Sequence, residues 1–200
     1  MIDEKLLIRL TKSLINFNGN LKIGKNTLIF NITSAYNCPS DKLKLCGLSK
    51  VCYAKKAEKQ YPKVKQYRDD QEKLWDLISV DVFVKTILEY KNIKYIRFNE
   101  SGDFRTQQDI EKIIDIANKL YNNNIIIYFY TKRKDLDWSK ALLIPNLVIT
   151  GSGFMLDNNF IVIESLKQFN PKKDVLCNRN CRYCDLCKNK LNNTIKILLH

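Results

Sequence analysis

Tyr95-Ile96-Arg97-Phe98-Asn99-Glu100-Ser101-Gly102-Asp103-Phe104 is the stretch on which the reading of this chain turns. Its first four residues are β-formers, and the chain then breaks into a polar turn containing a glycine. A helical pattern opens just after Thr106. A strand that ends in a polar turn and feeds a helix is where α/β proteins place their chemistry. Here two carboxylates, a hydroxyl, an amide and a glycine fall within Asn99–Asp103.

Working outward, the same alternation recurs. Thr27–Ile32 reads as a strand, followed by a loop over Thr33–Ser49 and a helix from about Lys50. Pro62 suits a helix start, and Lys63–Tyr90 reads as two helices broken near Ser79–Asp81. Gln107–Tyr121 carries Ile110, Ile113, Ile114, Ala117 and Leu120 on one stripe. Ile125–Tyr130 is a continuous apolar run, as a buried parallel strand should be. A short helix over Leu136–Leu143, a strand over Leu147–Thr150, a Gly151-Ser152-Gly153 turn and a strand near Ile161–Ile163 follow. Thr194–Leu199 also has strand character. Residues 1–26 are peripheral, with Leu6, Leu7, Leu10, Leu14 and Ile15 at helical spacing. Strand–helix alternation implies an α/β fold with a parallel β/α sheet, as a partial or small (β/α) barrel. The expected division is a β/α catalytic domain over 1–170 and a Cys-rich metal-binding knuckle over 171–200 packed on it.

The chain has 200 residues, with 34 Lys+Arg against 21 Asp+Glu, a formal net charge of +13. Such an imbalance favours a polyanionic partner, nucleic acid first. Codon bias toward lysine or solubility alone is the plainer alternative. No apolar run reaches the roughly 18 residues of a membrane span, so no membrane partner is expected. No signal sequence is visible at the start. The expectation is a cytoplasmic protein, in the host cytoplasm if the chain is viral.

Seven cysteines fall into two groups separated by a long cysteine-free middle: Cys38, Cys46 and Cys52, then Cys177, Cys181, Cys184 and Cys187. In a reducing compartment such clustering reads as metal or iron–sulfur ligation. The second group, C-x3-C-x2-C-x2-C, is a tight ligand pattern for zinc or a cubane cluster, with His200, the one histidine, as a further candidate ligand. The first group, C-x7-C-x5-C, is looser. It could hold a [4Fe-4S] cluster with one iron open, be joined by a C-terminal cysteine, or consist of buried small side chains.

With no histidine in the body of the chain, carboxylates must carry acid–base work. Ser101 and Asp103 are candidate catalytic residues, Asp103 as nucleophile or acid; its alternative is a helix cap, a role Thr106 could also fill. Asp157 is a second candidate carboxylate on the same rim. Gly151, Ser152 and Gly153 could cradle a phosphate with backbone N–H groups, and Lys132 and Arg133 would place two cations beside it. Lys55–Arg68, with Tyr61 and Tyr67 interleaved, could extend a nucleic-acid path or be a solvated helix face.

YPKVKQYRDDQEKLWD, IRFNESGDF, IIIYFYTKR, IPNLVITGSG and the closing knuckle resemble, in order from about Thr27 to His200, the phage "gene product 88" family. Two larger groups are similar in part. Guanine transglycosylases, β/α barrels with an Asp nucleophile and a zinc site near the C-terminus, imply base exchange in DNA, and so DNA ahead of RNA as the partner. In that scheme Asp103 attacks the sugar of a flipped guanosine, Asp157 assists proton transfer, Cys181, Cys184, Cys187 and His200 hold zinc, and a deazaguanine base is the second substrate. Radical S-adenosylmethionine enzymes imply instead a cluster on Cys38, Cys46 and Cys52 with an auxiliary site on the later cysteines. A non-catalytic nucleic-acid-binding protein stapled by two metal sites is the third reading.

Overall fold

The computed structural model describes residues 3–20 and 22–199, so His200 lies outside the described residues. Seven strands form one all-parallel sheet that does not close: β1 Thr27–Phe30, β2 Tyr95–Phe98, β3 Ile126–Thr131, β4 Leu147–Ser152, β5 Asn158–Ile163, β6 Asp174–Leu176 and β7 Thr194–Leu198. Their order is β1-β2-β3-β4-β5-β7-β6. Each of the first five strands lies beside its predecessor, as simple parallel crossovers dictate. The outer edge of β1 is partly covered by Asn16, which pairs antiparallel with Ile29, one way in which sheet edges are blunted.

Seven helices accompany the sheet: α1 Glu4–Leu14, α2 Pro39–Lys42, α3 Tyr53–Gln60, α4 Pro62–Leu77, α5 Val80–Leu88, α6 Gln107–Leu120 and α7 Ser139–Leu142. Their limits follow local chemistry. Pro62 opens α4, where its missing N–H costs nothing. The Ser79 side chain accepts from Val82 N–H to start α5, and Thr106 forms a capping box with Asp109 to start α6. The expected helix over Leu136–Leu143 shortens to one turn. Trp138 donates back to the Arg133 carbonyl at 2.8 Å, and Asp137 accepts from Ser139 N–H, which holds the preceding residues in a turn.

Side-chain alternation gives the sheet two unlike faces. Leu28, Phe30, Ile96, Phe98, Ile127, Phe129, Leu147 and Ile149 point one way and join the helices in the hydrophobic core. Phe30, Trp75, Phe83 and Phe98 meet there at ring separations of 5.4–6.0 Å, mostly edge-on. Arg97, Tyr128, Tyr130, Phe160 and Ile195 point the other way. That face is covered chiefly by the segment after β1, which includes α2 and α3, and by the one between β6 and β7. Residues 171–199 therefore contribute two strands to the common sheet, with the later cysteines on the loop between them.

Gly151 and Ser152, expected in a turn, belong to β4 itself. Gly151 is paired on both sides, with Thr131 and with Asn159. No helix among the described residues is long and apolar enough to cross a membrane.

Phe83 is fully buried at the centre of the aromatic cluster, whereas Tyr183 is 78% exposed. Phe83→Ala should cost about 3–5 kcal/mol in urea denaturation, and Tyr183→Ala should stay within about 0.5 kcal/mol of the parent.

Candidate functional site

A cavity of about 450 Å³ lies on the face of the sheet away from the hydrophobic core, and all seven cysteines line it. Two segments that are distant in sequence are brought there by the topology. The first is the loop leaving the C-terminal end of β1, with Cys38 directly before α2 and Cys52 directly before α3. The second leaves β6 and returns at β7. Its short helical turn Leu186–Lys188 folds back across the sheet onto β3 and β4, with Lys188 Nζ 4.3 Å from the Tyr95 ring centre. None of the seven cysteines is in a disulfide.

The β1 loop is fixed by buried polar groups. The Ile32 N–H donates to Asn99 Oδ1 at 3.0 Å, and Asn31 Oδ1 accepts from Ser101 N–H at 2.8 Å. Glu58, on α3, accepts from Ala35 N–H at 2.7 Å, Tyr36 N–H at 3.2 Å and Ser101 Oγ at 3.0 Å. It also pairs with the Arg68 guanidinium at 2.9 Å, both side chains being buried. Gly102, at φ +73°, is demanded twice over: a Cβ there would lie 2.0 Å from Thr33 Oγ1 and 2.3 Å from the Thr33 carbonyl oxygen.

Asp103 stands at the centre of this network. Its carboxylate accepts from Ser40 Oγ at 2.6 Å, Thr131 Oγ1 at 2.7 Å, Lys132 N–H at 2.8 Å and Phe104 N–H at 2.9 Å. It is only 3% exposed. Burial pushes its carboxyl above the usual range, opposed by the four donors, Ser40 first. Both oxygens are thus committed to protein donors, and the helix-cap role falls to Thr106. Ser101 likewise lines the cavity while its hydroxyl donates to Glu58.

The other candidate residues divide. Lys132 and Ser152 line the cavity, with Lys132 Nζ donating to the Ser152 carbonyl at 2.9 Å. Arg133 is buried and turned away; its guanidinium donates to the Phe104 and Arg105 carbonyls and pairs with Asp135 at 2.8 Å. The Gly153 N–H donates to the Phe160 carbonyl, and Gly151 is held between two strands, so these glycines present no free cradle of N–H groups. Asp157 lies at the start of β5 rather than at the rim. Its oxygens accept from Ile149 N–H at 2.9 Å and meet Lys190 at 3.3 Å.

Burial raises three of the thiols, Cys38, Cys177 and Cys187, and so favours their protonated form. Burial, then the Asp103 charge, pushes Cys38 up to about 12. Burial pushes Cys187 up to about 11, against a hydrogen bond with Tyr130. A thiol with so high a pKa is no nucleophile at neutral pH; it becomes a thiolate when a cation takes the proton's place. Among the described residues, no three Cys, His, Asp or Glu side chains already stand close enough to hold a metal ion.

Arg97, Tyr128 and Tyr130 are cavity residues that the motif reading passed over. Alternation in Tyr95–Phe98 could have found Arg97, because it falls on the face opposite Ile96 and Phe98. The run Ile125–Tyr130 hides the same alternation, its two hydroxyls both belonging to one face.

Compared with known families, the sequence matches the profile described as gene product 88 over residues 6–196. The chain belongs to the gene product 88 family. No curated protein matches, and no solved structure matches. For this gene product 88 protein the family match covers nearly all of the sheet, from α1 into β7, and both cysteine groups.

Glu58→Ala should strand the buried Arg68 and free the β1 loop, costing about 3–5 kcal/mol in urea denaturation. Hydrogen exchange should then accelerate at Ala35 and Tyr36, whose N–H groups Glu58 holds. Glu111→Ala, on the exposed face of α6, should leave those amides protected.

Proposed function

We propose that this protein is an iron–sulfur enzyme acting on a small ligand held between its two cysteine loops. Cys38, Cys46 and Cys52 would hold a [4Fe-4S] cluster with one iron open, as the resemblance to radical S-adenosylmethionine proteins implies. The observation that carries the reading is the convergence of all seven free cysteines on one cavity at the sheet's inner face. The donor set fits such a group: soft thiolates select iron–sulfur or zinc.

When bound, a cluster of this kind supplies one-electron chemistry at its open iron. The chain's residues then have definite tasks. Asp103 locks Ser40, and with it α2 and the neighbouring Cys38, against the end of β3. Glu58 holds the start of the same loop. The Cys181 carbonyl accepts from Lys188 Nζ at 3.3 Å, and Lys188 also pairs with Asp185 at 2.9 Å, which orders the second cysteine loop. Cys177, Cys181, Cys184 and Cys187 would hold a separate metal, zinc or a second cluster.

The second reading is the DNA guanine transglycosylase, favoured by the position of Asp103 on the cavity and by the net charge of +13. It requires Asp103 to release at least one of its four donors before its carboxylate can attack a sugar, and Asp157 contributes nothing at the cavity. Nucleic-acid binding as such remains part of this reading, with Lys132 as its cation on the cavity wall.

Anaerobic purification decides between the two. The iron–sulfur reading expects a brown protein carrying about four irons in the first site, with matching sulfide. Cys38→Ala, Cys46→Ala or Cys52→Ala should each remove those irons, while Cys184→Ala should remove only the metal of the second site. A colourless protein with a single zinc, unchanged by Cys46→Ala, would overturn the iron–sulfur reading. Base-exchange activity abolished by Asp103→Asn in such a protein would establish the transglycosylase.

A further inference from the structure

The wall of the cavity carries more positive charge than its own acids neutralise. Lys22, Lys55, Lys56, Arg97, Lys132 and Lys188 line it, against Asp41, Glu100 and Asp103. Each of those acids is already engaged. Asp41 pairs with Lys55 at 2.5 Å. Glu100 accepts from Asn20 Nδ2 at 2.6 Å and lies 3.9 Å from Arg68. Asp103 is taken up by its four donors.

Arg97 is the exceptional cation. It projects from the middle of β2, where its register partner is Tyr128. Its guanidinium carbon lies 5.2 Å from the centre of the Tyr130 ring and 6.0 Å from that of Tyr128. Among the described residues, its buried Nε has no hydrogen-bond partner, and neither has the Tyr128 hydroxyl beside it. A guanidinium cannot shed its charge in a protein, and a buried donor left unsatisfied is costly. Tyrosine faces offset part of that cost but accept none of the fork's parallel N–H bonds. Phe160, Val162, Ile195 and Ile197 give the nearby wall an apolar surface. A cavity with a forked donor on its floor and apolar walls matches a ligand with two anionic oxygens at one end and an apolar body.

We propose that Arg97 is the substrate-anchoring residue of this cavity, and that its fork takes a carboxylate or phosphate carried by a small ligand with a flat apolar body. The inference names the ligand class of the site described above and rests on that cavity being the working site, but not on which metal the cysteines hold. Arg97 binds and orients; the Tyr128 hydroxyl supplies a further donor to the same anion. Lys132 Nζ, bonded to the Ser152 carbonyl, adds charge from the rim.

The test uses the full chain as purified, with iron and zinc measured on each sample. Benzoate and phenyl phosphate serve as anionic probes and benzyl alcohol as their neutral counterpart, with binding followed by ligand-observed NMR titration. The expected result is that at least one anion binds at least about tenfold more tightly than benzyl alcohol. The anion that gains more identifies the source as carboxylate or phosphate. Arg97→Met should abolish the preference, and Arg97→Lys should keep only part of it, because an ammonium lacks the fork. Equal binding of charged and neutral probes by the parent overturns the proposal, and this comparison holds even where Arg97→Met fails to fold. A folded Arg97→Met that retains the preference overturns it too. Loss of metal in Arg97→Met, with no anion preference in the parent, would assign the guanidinium to the cysteine thiolates instead. A parent without iron that still prefers the anion refutes the iron–sulfur reading and leaves this one standing.

Discussion

The four hydrogen bonds to the Asp103 carboxylate hold three parts of the chain in one place. Through Ser40 they reach the loop after β1, through Thr131 and Lys132 the end of β3, and through Phe104 the segment leading to α6. A buried carboxylate is costly unless its lone pairs are filled, so this arrangement admits little slack: if the β1 loop shifts, Ser40 leaves and the carboxylate loses a donor. Thr33 repeats the restraint one step earlier. Its hydroxyl accepts from Asp103 N–H at 3.0 Å and donates to the Asp103 carbonyl at 3.1 Å, while its bulk leaves room for nothing larger than glycine at position 102.

The position of the first cysteines follows from that restraint. Cys38 sits two residues before Ser40, and Cys46 N–H donates to the Ser40 carbonyl at 3.1 Å. The loop that carries potential ligands is thus tied to the rigid sheet at the residue between them. Sites supported in this way on strands and buried hydrogen bonds hold their geometry better than sites on free loops. The second cysteine loop reaches the same cavity by another route, because β7 inserts between β5 and β6 and the connecting chain crosses back over the sheet's inner face.

Much of the framework was legible in the residues. The strands at Tyr95–Phe98 and Ile126–Thr131, the amphipathic α6 with Thr106 as its cap, and the pause between α4 and α5 at Ser79 all follow from periodicity and capping chemistry. So does the parallel sheet, since alternation of strands and helices permits little else, but the expected curl into a partial or small barrel does not occur and the seven-stranded sheet stays open. The errors have specific causes. Gly151-Ser152-Gly153 reads as a turn because glycine usually marks one, yet Gly151 sits inside β4, where a Cβ would come within 2.2 Å of the Phe154 carbonyl oxygen. β6 is three residues long at the sheet edge and carries too little pattern to register. Asp157 looked like a rim residue from its distance after Thr150. In the fold the chain has already turned back, and Asp157 pairs with the middle of β4.

The sequence by itself determined the periodicities, the two cysteine groups and the basic balance, because each is a property of near neighbours or of composition. Tertiary structure alone decided that both cysteine groups face one cavity, that the Asp103 carboxylate is saturated, and that Arg133 turns inward while Arg97 faces the cavity. Those facts depend on strand order and on contacts between residues far apart in the chain, from Ser40 to Asp103 and from Asp103 to Thr131. The YIRFNESGDF stretch therefore announced a reactive strand end, but only the folded chain shows its aspartate holding the site together and its arginine facing the cavity.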